Sequence, residues 1–161
     1  MKRKEKPLTF KWNKKFIYPK SVRSLVNDAR HYSVGDEKLP SVTTILSATQ
    51  SSEKRESLAR WQAKVGKNEA ERVKNVAGKR GTAMHQYLEY MVAEKNLLDL
   101  TEEGVEAQRM AEVVRDKGFN DLEEIWGSEV VLSYPGLYAG QTDLCGIYQG
   151  RESIIDFKQS N

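Results

Sequence analysis

Apolar residues recur along the chain at two spacings. Met84, Leu88, Met91 and Val92 stand at i, i+4, i+7 and i+8, the stripe of a helix buried along one side. Ala107, Met110, Ala111 and Val114 draw a second such line, over a helix predicted from about Glu102 to Lys117 and stopped by Gly118. Earlier, Ser41 follows Leu39-Pro40 as a helix cap, and the short helix after it carries Val42, Ile45 and Leu46. A further helix is predicted from about Glu53 to Val65, burying Leu58, Trp61 or Gln62, and Val65, and ended by Gly66. Residues 67–77 are charged and helical in propensity.

After residue 120 the period changes to two. From Ser128 to Tyr134, Glu129, Val131 and Ser133 share one face of a strand, and Val130, Leu132 and Tyr134 share the other. Pro135-Gly136 turns the chain, and Tyr138-Ala139-Gly140 begins the next strand toward Asp143. A tight turn at Gln149–Glu152 joins it to a strand over Ser153–Lys158. Phe16-Ile17-Tyr18 and His31–Val34 are shorter strand candidates, the latter followed by a turn at Gly35-Asp36-Glu37. Helices followed by three consecutive strands predict an α+β domain with a small antiparallel sheet.

Composition narrows this picture. At 161 residues, 39% apolar and 30% charged, the chain suits one domain with a real core. The single Cys145 excludes an internal disulfide and a cysteine-built zinc site, and suits a reducing compartment. No apolar run approaches a membrane span, no apolar segment follows the basic Met1–Pro7, and the start lacks a transit-peptide pattern. A cytoplasmic location is the expectation.

The net charge of +3 hides a strong asymmetry. Residues 1–20 carry eight lysines and arginines against Glu5, and residues 53–80 carry nine against four acids. Residues 94–129 reverse the balance, with eleven acids against four bases. One basic face able to follow a phosphate backbone is one reading, and a solubilising surface with a mobile basic tail is the other. Residues 1–15 read as that arm, with Phe10 and Trp12 set among lysines either to stack on unpaired nucleotides or to dock the terminus on the core.

Candidate chemistry concentrates near the end. Asp156 and Lys158 point the same way from an apolar strand while Ile155 and Phe157 point the other, and Asp143 is placed to reach the same spot across the hairpin. Two carboxylates and a lysine there suit a hard divalent cation and a phosphate ester; a surface ion pair on an edge strand is the plainer alternative. His85 and Glu89, four apart, stack on one helix face beside the apolar stripe. His31 has no partner at a recognisable spacing and is read as structural.

Five pieces in register, Leu39–Leu46, Arg80–His85 with Glu89, Glu129, Tyr138–Asp143 and Ile155–Lys158, resemble the PD-(D/E)XK nuclease superfamily. Within it the chain is most similar to RecB-like exonucleases of the mitochondrial genome maintenance type, which also occur in bacteriophages. The resemblance implies a divalent-metal-dependent DNA exonuclease acting on single-stranded ends in replication, recombination or DNA breakdown. It implies Mg²⁺ or Mn²⁺ held by Asp143, Asp156 and the Phe157 backbone carbonyl, with His85 as a ligand or acting through water. Lys158 would orient or activate the attacking water, Glu129 would support metal or water, and Glu89 is a weaker candidate. Arg80, Lys79, Arg60, Lys64 and Trp61, with Tyr87, would line the path of a single strand.

The core of that superfamily continues past the Asp-Phe-Lys motif with a further helix and strand, whereas this sequence stops at Asn161. The expectation is therefore an incomplete or split nuclease, one completed by a second chain, or one self-associating through an exposed sheet edge. A nucleic-acid-binding module without turnover is the alternative function, and a structural partner is the third.

Overall fold

The core forms on the helical stripe read from the sequence. Met84, Leu88 and Val92 are each at most 1% exposed, packed with Ala107 and Ala111 from the second helix and with Ile125, Leu144 and Phe157. The computed structural model describes residues 8–159. In chain order they form β1 (Ser21–Val26), β2 (Ala29–Val34), β3 (Glu37–Pro40), α1 (Val42–Ala48), α2 (Ser52–Val65), α3 (Lys67–Val92) and α4 (Glu102–Gly118). A 3-10 turn at Phe119–Asp121 leads into β4 (Leu122–Tyr134), β5 (Tyr138–Tyr148) and β6 (Arg151–Ile155).

The protein is α+β, with two three-stranded antiparallel sheets ordered β1-β2-β3 and β4-β5-β6. The first sheet precedes the helices, so the expected order of helices first is corrected. The strand expected at Phe16–Tyr18 is not formed, and His31–Val34 lies within β2. A small cluster of Tyr32, Leu39 and Ala139, with Val34 and Val131 against it, joins the first sheet to the second.

The Ser41 cap expected for the short helix is formed, and the structure adds two more. The Ser41 hydroxyl accepts from Thr44 N–H at α1, Ser51 caps α2 and Thr101 caps α4, each relieving a backbone donor that the helix cannot satisfy itself. Gly66 ends α2 and opens α3 at φ 85°, a conformation that a side chain would strain. Residues 67–77 and the stripe from Gly78 onward are one continuous helix of 26 residues.

α2 differs from expectation in its packing. None of its residues is buried: Leu58 is 50% exposed and Trp61 37%. Its apolar positions have the right spacing but stay exposed or half-buried, α2 meeting chiefly the following helix α3. Tyr87, expected along a strand's path, is instead buried, its hydroxyl accepting Asp99 N–H at 3.0 Å.

Part of the stretch read as a mobile arm is fastened down. Ile125 N–H donates to the Lys11 carbonyl at 2.8 Å and Asn13 N–H to the Ile125 carbonyl at 2.9 Å, so residues 11–13 run parallel to β4. The Trp12 indole N–H donates to the Val92 carbonyl at 3.0 Å, and Phe10 packs edge-on against Phe119. Lys11, Asn13 and the Trp126 indole all bind the Glu124 carboxylate, holding its pKa down to about 2. Met1–Pro7 lie outside the described residues.

Candidate functional site

Strand register brings three acids into one row. Ser128↔Leu144 and Val130↔Thr142 bracket Glu129 and Asp143 on β4 and β5. Leu144↔Ile155 on β5 and β6 puts Asp143 level with Asp156, one residue beyond the strand. The expected strand to Lys158 therefore stops at Ile155, yet the alternation holds in outcome. Phe157 is buried in the core, while Asp156 and Lys158 stay on one side and pair at 2.6 Å. That pair is largely open to solvent, so it contributes at most about 1 kcal/mol to stability.

Asp143 is the most engaged of the acids. Its Oδ2 accepts Phe157 N–H at 2.6 Å and faces His85 Nε2 at 3.2 Å. Burial alone would raise its pKa, but His85, the Phe157 N–H and the charge of Lys158 outweigh that and hold it below the ordinary range.

His85 is delivered from α3. Its Nδ1–H donates to the Gly81 carbonyl at 2.8 Å, one helical turn back, which aims Nε2 at Asp143. Both ring nitrogens thus meet oxygen acceptors, which calls for a proton on each. The Asp143 carboxylate lifts the imidazole pKa to about 9 against the opposing effect of burial, helped by the Gly81 carbonyl and the charge of Glu129.

Glu129 sits at φ 54° in mid-strand, where a residue with a Cβ is strained. Gln141 donates an amide N–H to it. Burial raises its pKa, as do the neighbouring charges of Asp143 and Glu89, against the Gln141 bond and the His85 charge. Glu89 therefore stands within electrostatic reach of the row, one turn along α3 from His85.

The basic residues divide. Lys79, Lys64 and Arg60 are exposed, Arg60 lying 3.8 Å from Glu56, and Trp61 shows more than a third of its surface. Arg80 is withdrawn: its Nε donates to Gln159 Oε1 at 2.9 Å and its Nη1 lies 3.3 Å from Glu106. Its expected place on a nucleic-acid path is corrected, because these two partners hold its guanidinium within the fold. His31, whose Nδ1–H donates to the Ala29 carbonyl at 3.0 Å, stands on β2.

Two residues that the sequence reading passed over belong here: Gln141, bonded to Glu129, and Gln159, bonded to Arg80. Neither stands at a spacing that would single it out. Among the described residues, no set of three or more His, Cys, Asp or Glu side chains is gathered closely enough to hold a metal ion together. A cation of the Mg²⁺ kind needs only one or two carboxylates, its other positions going to water and phosphate oxygens. The donor chemistry of Asp143 and Asp156 fits that demand. The apolar cavity of about 460 Å³ bounded by Phe16, Tyr18, Trp126, Leu132, Cys145 and Ile154 shares no residue with this group.

Comparison with protein-family models, with curated proteins and with solved structures found no match to the chain.

Proposed function

We propose that this protein is a divalent-cation-dependent nuclease that hydrolyses phosphodiester bonds of DNA, acting at single-stranded ends. One observation carries the reading: Glu129 on β4, Asp143 on β5 and Asp156, one residue past β6, stand level in register, with His85 on Asp143 and Lys158 on Asp156. Structural economy does not account for acids so placed, since level carboxylates repel and one of them sits on strained backbone.

Asp143 and Asp156 are the residues that would hold Mg²⁺ or Mn²⁺, which when bound supplies Lewis acidity toward a phosphodiester. The chain's own groups do the remainder. Lys158 brings a mobile ammonium, exposed enough to meet a phosphoryl oxygen and tethered by Asp156. His85, charged at neutral pH, keeps Asp143 ionised and oriented. Glu129, its pKa raised by burial, is suited to exchange a proton with water at the row's edge. The exposed Lys79, Lys64, Arg60 and Trp61 supply charge and a stacking surface for a single strand.

A second reading, nucleic-acid binding without turnover, is favoured by one observation. Asp143 Oδ2 already serves both the Phe157 N–H and His85, leaving that oxygen little capacity for a cation. Labelled single-stranded DNA incubated with Mg²⁺ or Mn²⁺, with EDTA, and with Asp156→Ala and Lys158→Ala separates the two. Metal-dependent cleavage lost in both variants supports the nuclease. Salt-sensitive binding with no cleavage at any metal concentration leaves only the module.

A further inference from the structure

The ladder of the second sheet ends at Ile155, so Asp156, Phe157 and Lys158 need another anchor. Phe157 supplies one through its buried ring and its N–H on Asp143. The next comes from Gln159. Its Nε2–H donates to the Ala77 carbonyl at 2.6 Å, and its Oε1 accepts from Arg80 Nε at 2.9 Å. Arg80 in turn reaches Glu106 on α4, so one amide ties the segment to two helices.

The helix is cut to receive this amide. A Cβ on Gly81 would stand 2.7 Å from Gln159 Nε2, closer than real contacts allow. Glycine inside a helix is unfavourable, and here it makes room. The same Gly81 offers its carbonyl to His85 Nδ1. One turn of α3 thus seats both the histidine facing Asp143 and the residue that follows Lys158.

We propose that Gln159 is a positioning residue of the site: clamped on the Ala77–Gly81 turn, it holds Asp156 and Lys158 level with Asp143 beyond the end of β6. The role rests on the nuclease reading above. Gln159 touches neither phosphate nor cation in this proposal and acts only through the segment it anchors.

Two variants of the full chain test it, Gln159→Ala and Gly81→Ala, each read by hydrogen exchange at the Phe157 amide, by melting temperature, and by kcat and KM on single-stranded DNA. Gly81→Ala adds one methyl group that displaces only the end of the Gln159 side chain, and its gain in helix propensity offsets the hydrogen bonds lost there, so its melting temperature is expected to stay close to that of the wild type. Both variants are expected to speed Phe157 exchange and to lower kcat by about tenfold or more with KM little changed, since a displacement of about 1 Å costs up to ~100-fold in rate. A cleaving wild type whose two variants match it in kcat overturns the role of Gln159 and leaves the nuclease reading standing. Faster exchange at unchanged kcat also overturns it, reducing the clamp to a structural tie. A wild type that cuts nothing overturns the nuclease reading and this role with it.

Discussion

His85 and Asp143 face each other across 3.2 Å, with the imidazole's other nitrogen bound to the Gly81 carbonyl. A ring held between two oxygens gains from carrying both protons, and a carboxylate held by that ring gains from staying ionised. The pair therefore presents a charged acid and a charged base side by side at neutral pH.

That charge state has a direct readout. The His85 ring is expected to titrate at about 9 by NMR, and Asp143→Asn should return it toward ~6.5. Because the folded pKa is raised, the interaction stabilises fully below the unfolded value and is lost as pH rises through about 9. A wild-type midpoint near ~6.5 would sink the paired arrangement.

Glu129 makes a backbone prediction. Its φ of 54° costs a residue with a Cβ roughly 1–2 kcal/mol relative to glycine. Glu129→Gly should consequently be more stable to urea than Glu129→Ala by about 1 kcal/mol, the reverse of the usual order within strands. Both variants are expected to cleave DNA more slowly than wild type. Equal stability of the two would remove the case for strain at this position.

The N-terminal segment should respond to acid. Lys11, Asn13 and Trp126 hold the Glu124 pKa down to about 2. For a depressed carboxyl the stabilisation is present above the unfolded value of ~4.3 and lost as pH falls toward about 2. Exchange at the Ile125 and Asn13 amides, which pair residues 11–13 with β4, should quicken over that window and should already be fast in Glu124→Ala. Acid-insensitive exchange at both amides in the wild type would count against the carboxylate as the fastening.

Two leucines at similar helical spacings should behave differently. Leu88 is fully buried, so Leu88→Ala is expected to cost ~2–5 kcal/mol in chemical denaturation. Leu58 on α2 is half exposed, and Leu58→Ala should stay within ~0.5 kcal/mol of wild type. A large loss at Leu58 would mean that α2 packs on something these contacts do not include.

Much of this protein is legible in one dimension because the relevant forces are local. The cap at Ser41, the stripe through Met84, Leu88 and Val92, and the hairpin turning at Gln149-Gly150 each depend on neighbours within a few residues. The alternation that sets Phe157 apart from Asp156 and Lys158 is equally local, and it survives even though the strand stops short.

What the tertiary structure decided depends on partners far along the chain. Leu58 and Leu88 carry the same pattern, but only Leu88 meets a second helix and a sheet. Arg80 looks like a surface base until Gln159, 79 residues later, and Glu106 take up its guanidinium. Lys11 to Asn13 look like a loose tail until β4 offers an edge. Level placement of Glu129, Asp143 and Asp156 arises from the register of β4, β5 and β6, continued one residue past β6. Periodicity states which residues favour burial or charge, whereas packing alone decides what each of them meets.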